Sequence, residues 1–196
     1  MRKIAILLAF VLMLCLCGCE SEKTSISTTQ PTDSVDVGFA LGQKMPDLTV
    51  TTSDGQERNV SQLLQEKKLV VLNFWFENCS WCQKEFPAME LGYQQYKDHV
   101  EILAVNPIDG AENVSAFAES SSYSFPMASC SRDLALAFGI GGYPTSVFID
   151  REGRISLIHA GAITDSNVFY QVFAHYTAAD YVSESYTSIS EILESS

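Results

Sequence analysis

Positive charge is scarce in this 196-residue sequence: 12 Lys and Arg stand against 24 Asp and Glu, a formal net charge of −12. A chain this acidic has no electrostatic footprint for nucleic acid, and an anionic lipid surface repels it. Histidine is scarce too, with His99, His159 and His175 widely separated. There is no internal repeat, and no apolar run reaches the roughly 20 residues that span a bilayer as a helix. What is present, 46% hydrophobic and 18% charged residues, suits one globular domain with a proper core.

The leading apolar run, Ile4 to Leu16, has 13 residues and follows the basic pair Arg2 and Lys3. That is the pattern of a secretory signal. The stretch Leu16-Cys17-Gly18-Cys19 resembles the bacterial lipobox. The resemblance implies a signal peptide over residues 1–18 and a diacylglyceryl thioether on Cys19, whose two acyl chains anchor stably. Cys15 and Cys17 then leave with the signal, and losing Arg2 and Lys3 takes the net charge from −12 to −14. Residues 20–38 are rich in Ser and Thr and poor in large apolar side chains, so with Cys19 they are expected to form a flexible tether over 19–38. The expected location is the extracytoplasmic face of the cell membrane.

The globular part is expected over 39–176. Segments at 47–51 and 56–60 flank Ser53-Asp54-Gly55, a hairpin signal. A short helix is predicted at 61–67 with Ser61 as its cap. The apolar run LVVLNFWF (69–76) reads as a central strand covered on both faces. A helix over 80–97 follows, kinked by Pro87, and then a strand at 100–105 parallel to the first. Helices are predicted at 112–119 and 132–138, a strand pair at 145–150 and 154–159 turned by Glu152-Gly153, and a closing helix at 165–176. The fold class is α/β: a mixed central sheet flanked by helices, with an N-terminal hairpin and a helical insertion. Residues 177–196 are an acidic tail in which Val182, Tyr186, Ile189 and Leu193 fall at helical spacing.

The chemistry centres on NFWFENCSWCQKEFP (73–87), where Cys79 and Cys82 stand at the passage from strand to helix. A zinc site wants four ligands at short spacing, and only Cys130 and the dispersed histidines remain. A structural staple over so short a loop removes little chain entropy. The third reading, a redox dithiol, has a mechanism. Cys79 falls at the helix N-terminus facing solvent, where unpaired N–H groups favour the thiolate. Cys82 lies on the same helical face and can resolve a mixed disulfide.

With VEILAVN and LALAFGIGGYPTSVFID, these residues resemble the thioredoxin superfamily, in particular membrane-tethered thiol–disulfide oxidoreductases of the TlpA/ResA type, over about 40–176. The resemblance implies that Cys79 and Cys82 are catalytic and that Pro144 is cis and faces them. Tyr143 would then present its backbone to a substrate strand. It also places Glu85, three residues after Cys82, as a base for the buried thiol. Asn73 stands where cytoplasmic thioredoxins carry a buried Asp. Implied partners are disulfide-bearing envelope or secreted proteins, such as apocytochrome c or a methionine sulfoxide reductase, and an integral-membrane thiol transporter as electron donor. No metal or cofactor is expected, and the chain is expected to be a monomer. The sequence departs from the family pattern at Ser80-Trp81, with Trp81 a candidate docking plate for substrate, at Asn78, and at Cys130, read as a small buried hydrophobe rather than a third redox thiol. Other functions on the same fold are an oxidant or isomerase, a peroxiredoxin and a non-catalytic binding lipoprotein. Phe76, three before Cys79, is not the Thr or Ser of a peroxidatic site.

Overall fold

A computed structural model describes residues 36–195; the expected signal peptide, Cys19 and tether residues 20–35 lie outside the described residues. In chain order the elements are β1 (Thr49–Thr51), β2 (Glu57–Asn59), α1 (Val60–Glu66), β3 (Leu69–Phe74), α2 (Ser80–Tyr96), β4 (Val100–Asn106), α3 (Ala111–Ser120), β5 (Met127–Ser129), α4 (Arg132–Ala137), β6 (Thr145–Asp150), β7 (Ile155–Ala160), α5 (Ser166–Thr177) and α6 (Ile189–Ser195). Five strands form one mixed sheet in the order β5-β4-β3-β6-β7. β4 runs parallel to β3 and to β5, whereas β6 is antiparallel to both β3 and β7. The hairpin β1-β2 pairs separately, and Gly55 takes the positive φ (79°) that its turn demands.

The alternation of side chains along β3 divides the interior in two. Leu69, Val71 and Trp75 join one apolar cluster with Phe86 and Met89 of α2 and Phe169 and Phe173 of α5. Val70, Leu72 and Phe74 join the other, with Val60 of α1, Ala135 of α4 and Val50 of the hairpin. Every residue of β3, β4 and β6 is buried, as expected of strands covered on both faces. Parity also fixes the polar residues. Asn73 falls with Leu69 and Val71, and Ser146 with Phe148, so both belong to the α2 face.

Local expectations fail where tertiary bonds intervene. The cap of α1 is Asn59 and not Ser61: its side chain accepts the Gln62 N–H at 2.9 Å and its amide is held by Asp47, so the helix begins at Val60. β5 was not expected; it is three residues long, too short to show a period, and is defined by its pairing with β4. Beyond α5, helix forms only from Ile189. Val182 is exposed, and Tyr186 is buried from an irregular segment whose N–H donates to Ser156 O. The Asp150 carboxylate accepts from Tyr181 Oη and Ser183 Oγ, which holds this stretch away from a helical path. Among the described residues no helix is long and apolar enough to cross a membrane.

Candidate active site

The chain leaves β3 at Phe74 and enters α2 through Cys79, which is the N-cap with extended backbone (φ −84°, ψ 100°). The capping atom is sulfur: Cys82 N–H donates to Cys79 Sγ at 3.1 Å. Cys79 and Cys82 are joined as a disulfide with 5.3 Å between their Cα atoms. After reduction the same N–H faces a thiol, and a donor at a helix N-terminus favours its ionised form. No acidic residue in the first turn of α2 opposes this. Cys79 is only 5% exposed and Cys82 0%. Cys79 does not face solvent as expected: it is buried, because it belongs to an apolar cluster against which Phe76 and Tyr143 pack. The asymmetry leaves Cys79 the more exposed of the two sulfurs.

Glu85 lies one turn beyond Cys82 on the same helix face. A glutamate early in a helix ordinarily sits in solvent, but this one is 0% exposed. One carboxylate oxygen, Oε1, accepts the Ile163 N–H at 2.9 Å; the other, Oε2, accepts from Asn73 Nδ2 at 2.9 Å. Burial pushes the carboxyl up to about 7, and these two donors hold it back from rising further. A buried acid titrating near neutrality beside a dithiol can take and return a proton at working pH. Asn73 also donates to Ser146 Oγ at 2.9 Å, across the β3-β6 register in which the two residues are partners. Sequence reasoning found Glu85 and missed Ser146 and Ile163. One signal was legible: a lone polar residue inside LVVLNF needs a buried partner.

The Tyr143–Pro144 bond is cis. Pro144 is buried, and its carbonyl accepts the Gly161 N–H at 2.9 Å. Tyr143 is partly exposed and meets Phe76 edge-on at 5.5 Å, which ties the loop to the segment before Cys79. Trp81 is 57% exposed. Lys84 Nζ lies 4.2 Å from its ring centroid, a cation over an aromatic face that was not expected from the sequence. Cys130 is half-buried and free, and burial pushes its thiol up to about 12, so it stays protonated and weakly nucleophilic. It lines a cavity of ≈ 690 Å³ with Leu48, Val114 and Leu134.

A mixed sheet whose central strand feeds a helix capped by the first cysteine of a CxxC pair is the thioredoxin-like arrangement, and it defines thiol–disulfide oxidoreductases as a class. A family model described as the AhpC/TSA family matches residues 41–158. The thioredoxin-like protein YneN of Bacillus subtilis (strain 168) is 31% identical over 160 residues, 80% of this chain and 91% of that one. The thiol-disulfide oxidoreductase ResA of Geobacillus thermodenitrificans (strain NG80-2) is 36% identical over 131 residues, 66% of this chain and 74% of its own. The solution structure of a thiol:disulfide interchange protein from Bacteroides sp. is similar at 26% identity and a TM-score of 0.57, covering 72% of this chain and 93% of that one. The chain belongs to the AhpC/TSA family, as a thioredoxin-like thiol–disulfide oxidoreductase.

Proposed function

We propose that the protein is a lipid-anchored dithiol reductant that works on the outer side of the cytoplasmic membrane. Cys79 attacks the partner's disulfide, Cys82 displaces the partner from the mixed disulfide, and Glu85 takes the proton that Cys82 sheds. The observation that carries this reading is the enclosed Glu85 carboxyl behind a disulfide whose outer sulfur caps the helix. Tyr143 and Pro144 form the edge on which a substrate strand pairs, and Trp81, exposed and backed by Lys84, is the plate against which it rests. Residues 1–18 are the signal peptide, Cys19 carries the lipid, 19–38 is the tether, 39–176 is the catalytic domain and 177–196 is its acidic tail. An integral-membrane thiol transporter returns the electrons. The substrates are disulfides of envelope or secreted proteins, with apocytochrome c and methionine sulfoxide reductase as the classes to test first.

The Cys82→Ser variant is the decisive experiment. It lacks the resolving thiol, so partners accumulate as covalent adducts on Cys79 and can be identified. Absence of any adduct in cells that contain the folded variant overturns the reading. The dithiol potential tests the direction of electron flow, and a value above about −150 mV makes the protein an oxidant instead.

A further inference from the structure

We infer that Asn73 is a positioning residue whose side-chain amide turns with the protonation state of Glu85, offering N–H to the carboxylate and C=O to the carboxylic acid. The inference rests on the proposed proton-carrying role of Glu85 and adds the device that lets a buried acid do it. As the amide stands, Nδ2 spends both hydrogens, one on Glu85 Oε2 and one on Ser146 Oγ, each at 2.9 Å. Its Oδ1 is buried without a hydrogen-bond partner, among the few such side-chain atoms in the described residues. A fully enclosed amide with its acceptor idle is unusual and calls for a reason.

The chemistry of the neighbours supplies it. Glu85 Oε1 faces the Ile163 backbone N–H, which can only donate, so that oxygen stays an acceptor in either protonation state. A proton arriving on the carboxylate therefore belongs on Oε2, where it would oppose the Nδ2 hydrogen. A half-turn of the amide removes the conflict, because Oδ1 then accepts the new O–H. Ser146 suits both orientations, since a hydroxyl accepts from Nδ2 and donates to Oδ1 equally well. The turn exchanges a carbonyl oxygen without a partner for an NH2 group without one. That keeps the two orientations close in free energy and lets the proton decide between them.

On its own helix the titratable residue one turn from Glu85 is Cys82, which is bonded to Cys79 in this state. Asn73 from β3, Ser146 from β6 and the Ile163 N–H from the loop before α5 do not ionise. In the resolving step the Cys82–H proton passes to Glu85, the Cys82 sulfur bonds Cys79 Sγ, and the Cys79–partner bond breaks. The partner leaves as a thiolate that takes a proton from water. The amide turns once as Glu85 is protonated and turns back when the proton leaves.

The test is a pH titration of the oxidised full chain by NMR, following the Glu85 carboxyl carbon and the Asn73 side-chain amide together. We expect both to change with one midpoint. Asn73→Leu, which keeps the volume and removes the donor, moves the Glu85 midpoint up by about one pH unit or more. Ser146→Ala, which removes support from both orientations, moves it less. Asn73 signals that stay flat while Glu85 titrates overturn the inference, as does an unmoved midpoint in Asn73→Leu. Should that variant fail to fold, the wild-type signals alone decide. The two proposals fail differently: an exchange pH profile unchanged in Glu85→Gln removes the proton role of Glu85, whereas flat Asn73 signals remove only the turning amide.

Discussion

Glu85 occupies a position where helical spacing alone would set a solvated carboxylate, and its environment makes it a buried acid instead. Its pH linkage follows from the sign of the shift. The carboxyl is raised from 4.5 to about 7, so folding favours the protonated form. That contribution is complete below pH 4.5 and is lost as pH rises through about 7. The oxidised protein should therefore lose about 3 kcal/mol of stability between pH 4.5 and 8 on account of this group. Glu85→Gln should remove that slope, and urea unfolding at pH 5 and pH 8 measures the difference. The spacing of Cys82 and Glu85 was legible because it is local. The burial was not, because one enclosing donor comes from Asn73 in the preceding strand and the other from Ile163 in a distant loop. Trp81 gives a second residue-scale prediction. With 57% of its surface exposed, Trp81→Ala should change stability by no more than about 0.5 kcal/mol. Exchange with a protein disulfide should slow several-fold, while exchange with a small aromatic disulfide stays unchanged. Equal slowing of both would mean that the ring supports the dithiol itself and not the partner.

At the scale of elements, α2 packs closely against α5 within one apolar cluster. Gly92 permits the approach: a Cβ there would stand 2.7 Å from Phe169 Cβ and 3.2 Å from Phe173 Cε2. Gly92→Ala gains about 1 kcal/mol of helix propensity. Overpacking costs about 1–3 kcal/mol, and a Cβ attached to backbone yields little, so the clash should win. The expected outcome is a lower urea midpoint with an unchanged denaturant slope. A higher midpoint would show that the helices separate freely. Elements such as β3, α2 and β4 were readable because long buried runs and a cysteine pair at a helix start carry their own pattern. β5 and the cap of α1 were not, since each is set by a partner strand or carboxylate elsewhere in the chain.

Over residues 36–195 taken together, the segment after Thr177 packs into the domain. Tyr186 is buried, its hydroxyl meets His175 Nε2 at 2.9 Å, and Ile192 of α6 is 0% exposed. Asp150, at the end of β6, collects the hydroxyls of Tyr181 and Ser183 and the N–H groups of Glu152 and Arg154. Tyr186→Ala should cost about 3 kcal/mol, comparable to other large aromatic truncations. Equilibrium unfolding of the oxidised protein checks this, and a loss below about 0.5 kcal/mol would mean that the segment is dispensable.

Taken by itself, the sequence determined the succession of the longer strands and helices, the hairpin turn and the placement of Cys79 and Cys82 at a helix mouth. These follow from side-chain period, glycine turns and capping chemistry, which act over a few residues. Only the tertiary structure decided that Cys79 is nearly enclosed, that Glu85 is an acid titrating near neutrality, and that Asn73 keeps an idle acceptor beside it. Those properties depend on which distant backbone and side-chain groups close over the site, and desolvation becomes a force on a proton only once the chain has folded around it.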